Sequence, residues 1–121
     1  MLVIDPRSAV PPFEQLRVQL LEQINSGELA AGAKLPTVRR LAEDLGLAAN
    51  TVARTYRELE RDQLIETRGR HGSFVAAQGD AAERGAQEAA RVYADRIRQL
   101  GVAPDAALGY VRAALRTTPS P

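Results

Sequence analysis

Cysteine is absent from the 121 residues, and so is tryptophan. The first absence excludes disulfides and thiolate metal sites and removes any need for an oxidising compartment during folding. One histidine, His71, and no phosphate-cradling glycine loop leave too little for a catalytic constellation, so an enzyme is not expected, nor is a cofactor or a metal site. No stretch approaches the roughly 18 apolar residues of a membrane span. The N-terminal "MLVIDPRSAVPP" has neither a basic n-region nor a long apolar run and does not read as a signal peptide. A cytoplasmic protein without membrane contact is the expectation. Lysine is nearly absent as well: Lys34 stands alone and every other basic side chain but His71 is arginine, a bias that genome composition explains better than binding chemistry does, although arginine suits phosphate and base edges.

What is present is an ordinary globular balance, with 45% apolar and 26% charged residues, which argues against general disorder. The length suits one domain, or a small domain with an appendage. A formal net charge of +1 says nothing about partners, so the placement of the charges has to decide.

Along the chain, "MLVID" alternates weakly and suggests an edge strand. After Pro11 and Pro12, Phe13, Leu16, Leu20, Leu21 and Ile24 recur at helical spacing until Asn25-Ser26-Gly27. Lys34-Leu35 before Pro36 suggests a two-residue strand. Thr37 is placed to cap a second helix that carries Leu41, Ala42 and Leu45 on one face and stops at Gly46. A third helix spans about Asn50 to Asp62, with Val52, Tyr56 and Leu59 inward and Asn50, Arg54, Arg57, Glu58 and Arg61 outward. Leu64-Ile65 and Phe74-Val75 are the apolar ends of two strands joined by a basic, glycine-rich hairpin.

That succession is a winged helix-turn-helix: mainly α with a small β-wing, assigned to residues 1–77. Residues 78–121 form an alanine-rich tail, read as a short C-terminal helical hairpin. Its first helix places Ala82, Ala86, Ala89, Ala90, Tyr93, Ile97 and Leu100 on one stripe and ends at Gly101; its second has Leu108, Val111 and Leu115. Inner faces made mostly of alanine bury little surface alone, so Tyr93, Ile97, Leu100, Leu108, Val111 and Leu115 are expected to complete their core in a homodimer. Only "RTTPSP" reads as a frayed end.

In such a fold the second helix of the pair enters the major groove of double-stranded DNA with its N-terminal residues against the base edges. Here these are Ala49, Asn50, Thr51, Ala53 and Arg54: an amide that pairs with adenine, a hydroxyl and methyl, small residues that permit close approach, and a guanidinium that forks onto guanine or phosphate. Arg39 and Arg40, at the start of the preceding helix, are placed for phosphate; Arg40 could equally pair with Glu43 or Asp44. In "TRGRHGSF", Arg68, Arg70 and His71 are expected to face the neighbouring minor groove or its rim, on a backbone that Gly69 and Gly72 let turn tightly.

The blocks "GELAAGAKLPTVRRLAEDLG", "NTVARTYRELE" and "RGRHGSFV" together resemble the DNA-binding domain of the GntR family of bacterial transcription regulators, over roughly Pro12 to Val75. The short tail resembles the YtrA-like subfamily. The resemblance implies a homodimer on an inverted-repeat operator, usually a repressor, often near transporter operons. It also places DNA contacts on Arg39, Asn50, Thr51, Arg54 and, in the wing, Arg70, His71 and Gly72. One departure stands out: where the family commonly has a polar cap followed by arginine, this chain has Ala48-Ala49. The alternative function is a winged-helix protein-interaction module without specific DNA readout. A small-molecule effector has no support beyond Tyr93 and Tyr110, whose helical spacing suits packing better than a pocket.

Overall fold

A computed structural model of the chain describes residues 2–117, and of Ala81 its backbone only. Of the expected frayed end, Arg116 instead closes the last helix and the Thr117 N–H donates to the Ala114 carbonyl at 3.2 Å, while the stretch from Thr118 onward lies outside the described residues.

Helix α1, Pro12–Ser26, opens with proline at its first turn, where the missing N–H is no loss, and buries Leu16, Leu20 and Ile24. Gly27, at φ 82°, closes it by donating to the Ile24 carbonyl. Helix α2, Val38–Leu45, begins where the Thr37 hydroxyl accepts from the Arg40 N–H at 3.1 Å, and ends at Gly46. Helix α3, Ala49–Arg61, buries Val52, Thr55, Tyr56 and Leu59, one face at i, i+3, i+4 and i+7. Thr55, fully buried, keeps its hydroxyl satisfied by donating to the Thr51 carbonyl. Strands β1, Ile65–Thr67, and β2, Ser73–Val75, pair antiparallel with Ile65 opposite Val75.

The predicted strand at Lys34-Leu35 is a single antiparallel bridge from Lys34 to Phe74, supported by Leu35 N–H donating to the Ser73 carbonyl at 2.8 Å. It adds a third chain segment to the wing. Leu16, Leu20, Ile24, Leu35, Leu41, Val52, Tyr56, Leu59, Ile65 and Val75 meet in one core. Each buried aliphatic side chain there contributes on the order of 1.5–3 kcal/mol by leaving water.

The expected edge strand at "MLVID" does not form: residues 2–5 carry no strand. Two glutamines of α1 take the place of a pairing strand. Val3 N–H donates to Gln19 Oε1 at 2.8 Å while Gln19 Nε2 donates back to the Val3 carbonyl, and Gln15 does the same for Asp5. A carboxamide presents the donor and acceptor of a peptide group, so the segment is held against α1 with Leu2 and Ile4 on the core and needs no ladder.

Helix α4, Ala81–Leu100, starts with a reciprocal capping box between Asp80 and Glu83 and stops at Gly101. Helix α5, Pro104–Arg116, follows after three residues, Gly101, Val102 and Ala103. The tail's inner stripe is narrower than its apolar periodicity suggests. Among its described residues the buried one is Ala107, whose carbonyl accepts from the Tyr93 hydroxyl at 2.9 Å. Tyr93, Ile97 and Val111 are half-buried, whereas Ala82, Ala86, Ala89, Ala90, Leu100, Leu108 and Leu115 are exposed.

Candidate nucleic-acid interface

The turn before α3 is short and its helix start is bare. Ala48 is the N-cap residue and has no side chain able to accept a hydrogen bond, and Ala49 and Asn50 are exposed. Nothing bulky therefore stands in front of the first turn of α3. Asn50 projects its amide there without an intramolecular partner among the described residues. Thr51, beside it, is half-buried, and its carbonyl holds Thr55.

Two contacts set the pose of α3. The Tyr56 hydroxyl donates to the Pro36 carbonyl at 2.7 Å, tying the helix to the residue that precedes the α2 cap. Burial pushes this phenol up to about 12. At the other end, the Thr67 hydroxyl of β1 bonds the Glu60 carboxylate, which joins the wing to the last turn of α3.

The wing turns through a single 3-10 turn, Gly69–His71. Gly69 at φ 54° and Gly72 at φ 99° occupy backbone conformations that side chains with a Cβ rarely adopt, as the sequence predicts for this loop. Arg68 N–H donates to the Gly72 carbonyl at 2.8 Å and closes the loop. Arg70 and His71 are exposed at its tip, and neither side chain has a partner among the described residues.

Arg39 is likewise exposed and unpaired among the described residues, whereas Arg40 takes the alternative the sequence left open: its Nε donates to Asp44 at 3.3 Å. Arg54 and Arg68 depart from the expected outward pose. The Arg54 guanidinium lies 3.9 Å from the centre of the Phe13 ring and pairs with Glu58 at 3.7 Å, with its side chain still 60% exposed. Arg68 lies 4.3 Å from the centre of the Phe74 ring and donates through Nε to Glu66 at 3.0 Å. Its charge is thus spent within the wing, where it braces the loop against its own strands.

Two cations that sequence reasoning left unassigned join the surface. Arg57 is exposed and unpaired among the described residues, seven positions after Asn50 and so on the same side of α3; helical spacing alone carried that signal. Lys34 is exposed beside the wing, close enough that a Cβ on Gly72 would sit 3.3 Å from Lys34 Cε. No local pattern announces Lys34, because its nearness to Gly72 arises from the bridge to Phe74.

In the tail, Leu100, Leu108 and Leu115 are 56%, 58% and 81% exposed, and Val92 and Tyr110 join them on the surface. Tyr93, by contrast, uses its hydroxyl within the protomer. Among the described residues no helix is long and apolar enough to cross a membrane, and no cluster of histidine and acidic residues could hold a metal ion.

Known proteins resemble this chain in sequence and in fold. The family model described as bacterial regulatory proteins, gntR family, matches residues 12–75. The HTH-type transcriptional regulator Rv1152 of Mycobacterium tuberculosis is 44% identical over 110 residues, which covers 91% of this chain and 90% of that protein. YtrA from Sulfolobus acidocaldarius, a GntR-family transcription factor, superposes with a TM-score of 0.61 at 31% identity, covering 81% of this chain and 97% of that one. The DNA-binding domain of AraR, solved in complex with operator ORX1, superposes with a TM-score of 0.54 at 26% identity over 60% of this chain and 89% of that one.

Proposed function

Since the chain belongs to the gntR family of bacterial regulatory proteins, we propose that it is a cytoplasmic DNA-binding repressor of transcription that grips an inverted-repeat operator as a homodimer. Residues 1–77 are the DNA-reading head and residues 78–121 the dimerisation tail. The observation that carries this reading is the set of unpaired cations around an unobstructed helix start. Arg39 of α2, Arg70 and His71 of the wing, Arg57 of α3 and Lys34 have no intramolecular partners among the described residues, while the α3 entrance is lined by Ala48, Ala49 and Asn50. Unpaired arginines suit a phosphate backbone, and an amide preceded by two alanines suits a base edge.

In this reading Asn50 and Thr51 read bases, with Arg54 reaching the groove rim once it leaves Phe13. Arg39, Arg40, Arg70 and His71 meet phosphate or the minor-groove rim, Gly72 lets the backbone approach, and Arg68 holds the wing in shape. The homodimer draws on the exposed Leu100, Leu108 and Leu115, with Tyr93, Ile97 and Val111 behind them; isolated apolar residues are ordinary on a surface, but several on one short helical hairpin invite a partner of the same kind.

Selection of genomic fragments with the purified chain, sequenced at near-physiological and at raised salt, tests the proposal. Recovery of one inverted repeat that survives the higher salt is the expected result. Uniform retention that salt abolishes would leave only nonspecific phosphate attraction and would overturn it.

A further inference from the structure

The tail does not hang from the head by a free linker. Gln78 N–H donates to Gln87 Oε1 at 2.9 Å, and Gln87 Nε2 returns a bond to the Gln78 carbonyl at 2.7 Å. The Gln78 side chain meanwhile donates to the carbonyls of Ala76 at 2.8 Å and Gln63 at 3.3 Å, which reaches the turn that leaves α3. One helical turn beyond Gln87, Arg91 lies directly on Gly32. A Cβ built on Gly32 would overlap Arg91 Cδ and lie 3.0 Å from its Cγ and Nε.

Gly32 itself belongs to the wing's framework. It sits at φ 84°, and its N–H donates to the Val75 carbonyl at 2.8 Å. Arg91 is held from the other side by an ion pair with Glu88 and by Asp95 at 3.3 Å. The long stem of arginine covers bare glycine backbone while the guanidinium stays in its ion pairs, an arrangement that lysine could reproduce only in part. The seat borders a cleft of about 870 Å3 between the end of α1 and α4.

We propose that the Arg91–Gly32 seat and the Gln78–Gln87 clasp are a spacing device: they fix the head on the tail and so select the distance between the half-sites of the operator. The inference rests on the homodimer reading above. In a two-fold dimer joined through its tails, the separation and phase of the two α3 helices follow from the junction within each protomer. Each added base pair shifts a half-site by about 3.4 Å and turns it by about a tenth of a helical turn, so a fixed junction accepts few spacings. A loose linker of the four residues 76–79 could reach up to about 13 Å and would accept several. Arg91 and Gln87 are positioning residues that never touch DNA in this scheme.

The test uses the full chain and a panel of inverted repeats whose centre-to-centre spacing changes one base pair at a time. Wild type, Arg91→Lys, Arg91→Ala and the double variant Arg91→Ala/Gln87→Ala are compared, with binding to a single half-site and light scattering measured alongside. Wild type should show one preferred spacing, with affinity falling about tenfold two base pairs away, and Arg91→Lys should keep part of that preference. The double variant should remain dimeric, bind a single half-site as wild type does, and spread its affinity over neighbouring spacings within about threefold. A double variant that keeps the sharp preference, or that becomes monomeric, overturns the spacing device alone. A wild type indifferent to inverted repeats overturns the homodimer reading and this inference with it.

Discussion

The hydroxyl of Tyr56 and the carbonyl of Pro36 lie 2.7 Å apart across twenty residues of sequence, and that bond holds α3 to the entrance of the helix before it. The ring is 7% exposed and packs in the core, so the hydroxyl satisfies a polar atom at the edge of an otherwise apolar interior. Removing it tests whether the angle between α2 and α3 depends on one donor.

Tyr56→Phe should cost about 0.5–1.5 kcal/mol, because water can replace the donor at the exposed Pro36, and lower the thermal midpoint by a few degrees in a chain of this size. The pH dependence has a definite sign. The phenol is raised from 10.0 to about 12, so its protonated form belongs to the folded state. Its contribution is complete below pH 10.0 and is lost as the pH rises from there towards about 12. Wild type should lose this part of its stability across that window while Tyr56→Phe does not, and tyrosinate absorbance should show one late-ionising phenol that Tyr56→Phe removes. An unchanged thermal midpoint would remove this bond from the interhelical angle.

Ala48→Ser supplies the cap that α3 lacks. A serine hydroxyl at that position can accept from an unpaired N–H of the first turn and should add about 0.5–2 kcal/mol, read as a higher midpoint in thermal unfolding. A midpoint that stays where it was would mean the first turn is already satisfied by water at no cost.

Salt titration of operator binding separates the arginines. Arg39→Ala and Arg70→Ala should each weaken specific and nonspecific DNA alike and reduce the slope of log affinity against log salt by about 1, one phosphate contact apiece. Arg68→Ala should change the slope far less, because Glu66 and Phe74 already occupy that guanidinium, and should instead lower thermal stability through the wing. Equal slopes for all three variants would contradict the division of roles.

Asn50→Ala should relax the preference at a single base pair per half-site, worth about 1–3 kcal/mol of discrimination, and leave the salt slope as it is. Selection from a randomised operator library reads both effects together. A uniform loss across all positions would make Asn50 a backbone contact.

Truncation after Ala77 should leave a folded monomer, since among the described residues every buried hydrophobic one but Ala107 precedes that point. It should retain weak half-site binding and lose the preference for an inverted repeat. Light scattering on the truncated chain decides the matter: persistent dimers would place the interface in the head.

Much of this architecture is legible locally. The Thr37 cap, the left-handed glycines at 27, 46 and 101 and the proline at the start of α1 each act within a turn of their own helix, so their effect follows from neighbouring residues alone. The buried face of α3 follows from periodicity in the same way. Asn50 and the Arg70-His71 tip are also readable, because a helix start and a two-glycine loop leave them nowhere to go but outward.

Other features depend on which elements meet. Residues 2–5 resemble a strand by pattern, but the amides of Gln15 and Gln19, spaced four apart on α1, satisfy them without one. Arg54 looks free until Phe13 arrives beneath it, and Arg68 until Phe74 does. Leu108 and Leu115 share an apolar stripe, yet α4 covers Ala107 instead.

By itself the sequence determined where each helix begins and ends, which faces are apolar, and that a basic loop follows the third helix, since those properties arise from bonds and side-chain spacing within a few residues. Only the tertiary structure decided which arginines remain unpaired, that Lys34 stands beside Gly72, and that Arg91 rests on Gly32. Such contacts join residues far apart in the chain. They exist because the packing of the core brings their backbones together, and no local preference encodes that distance.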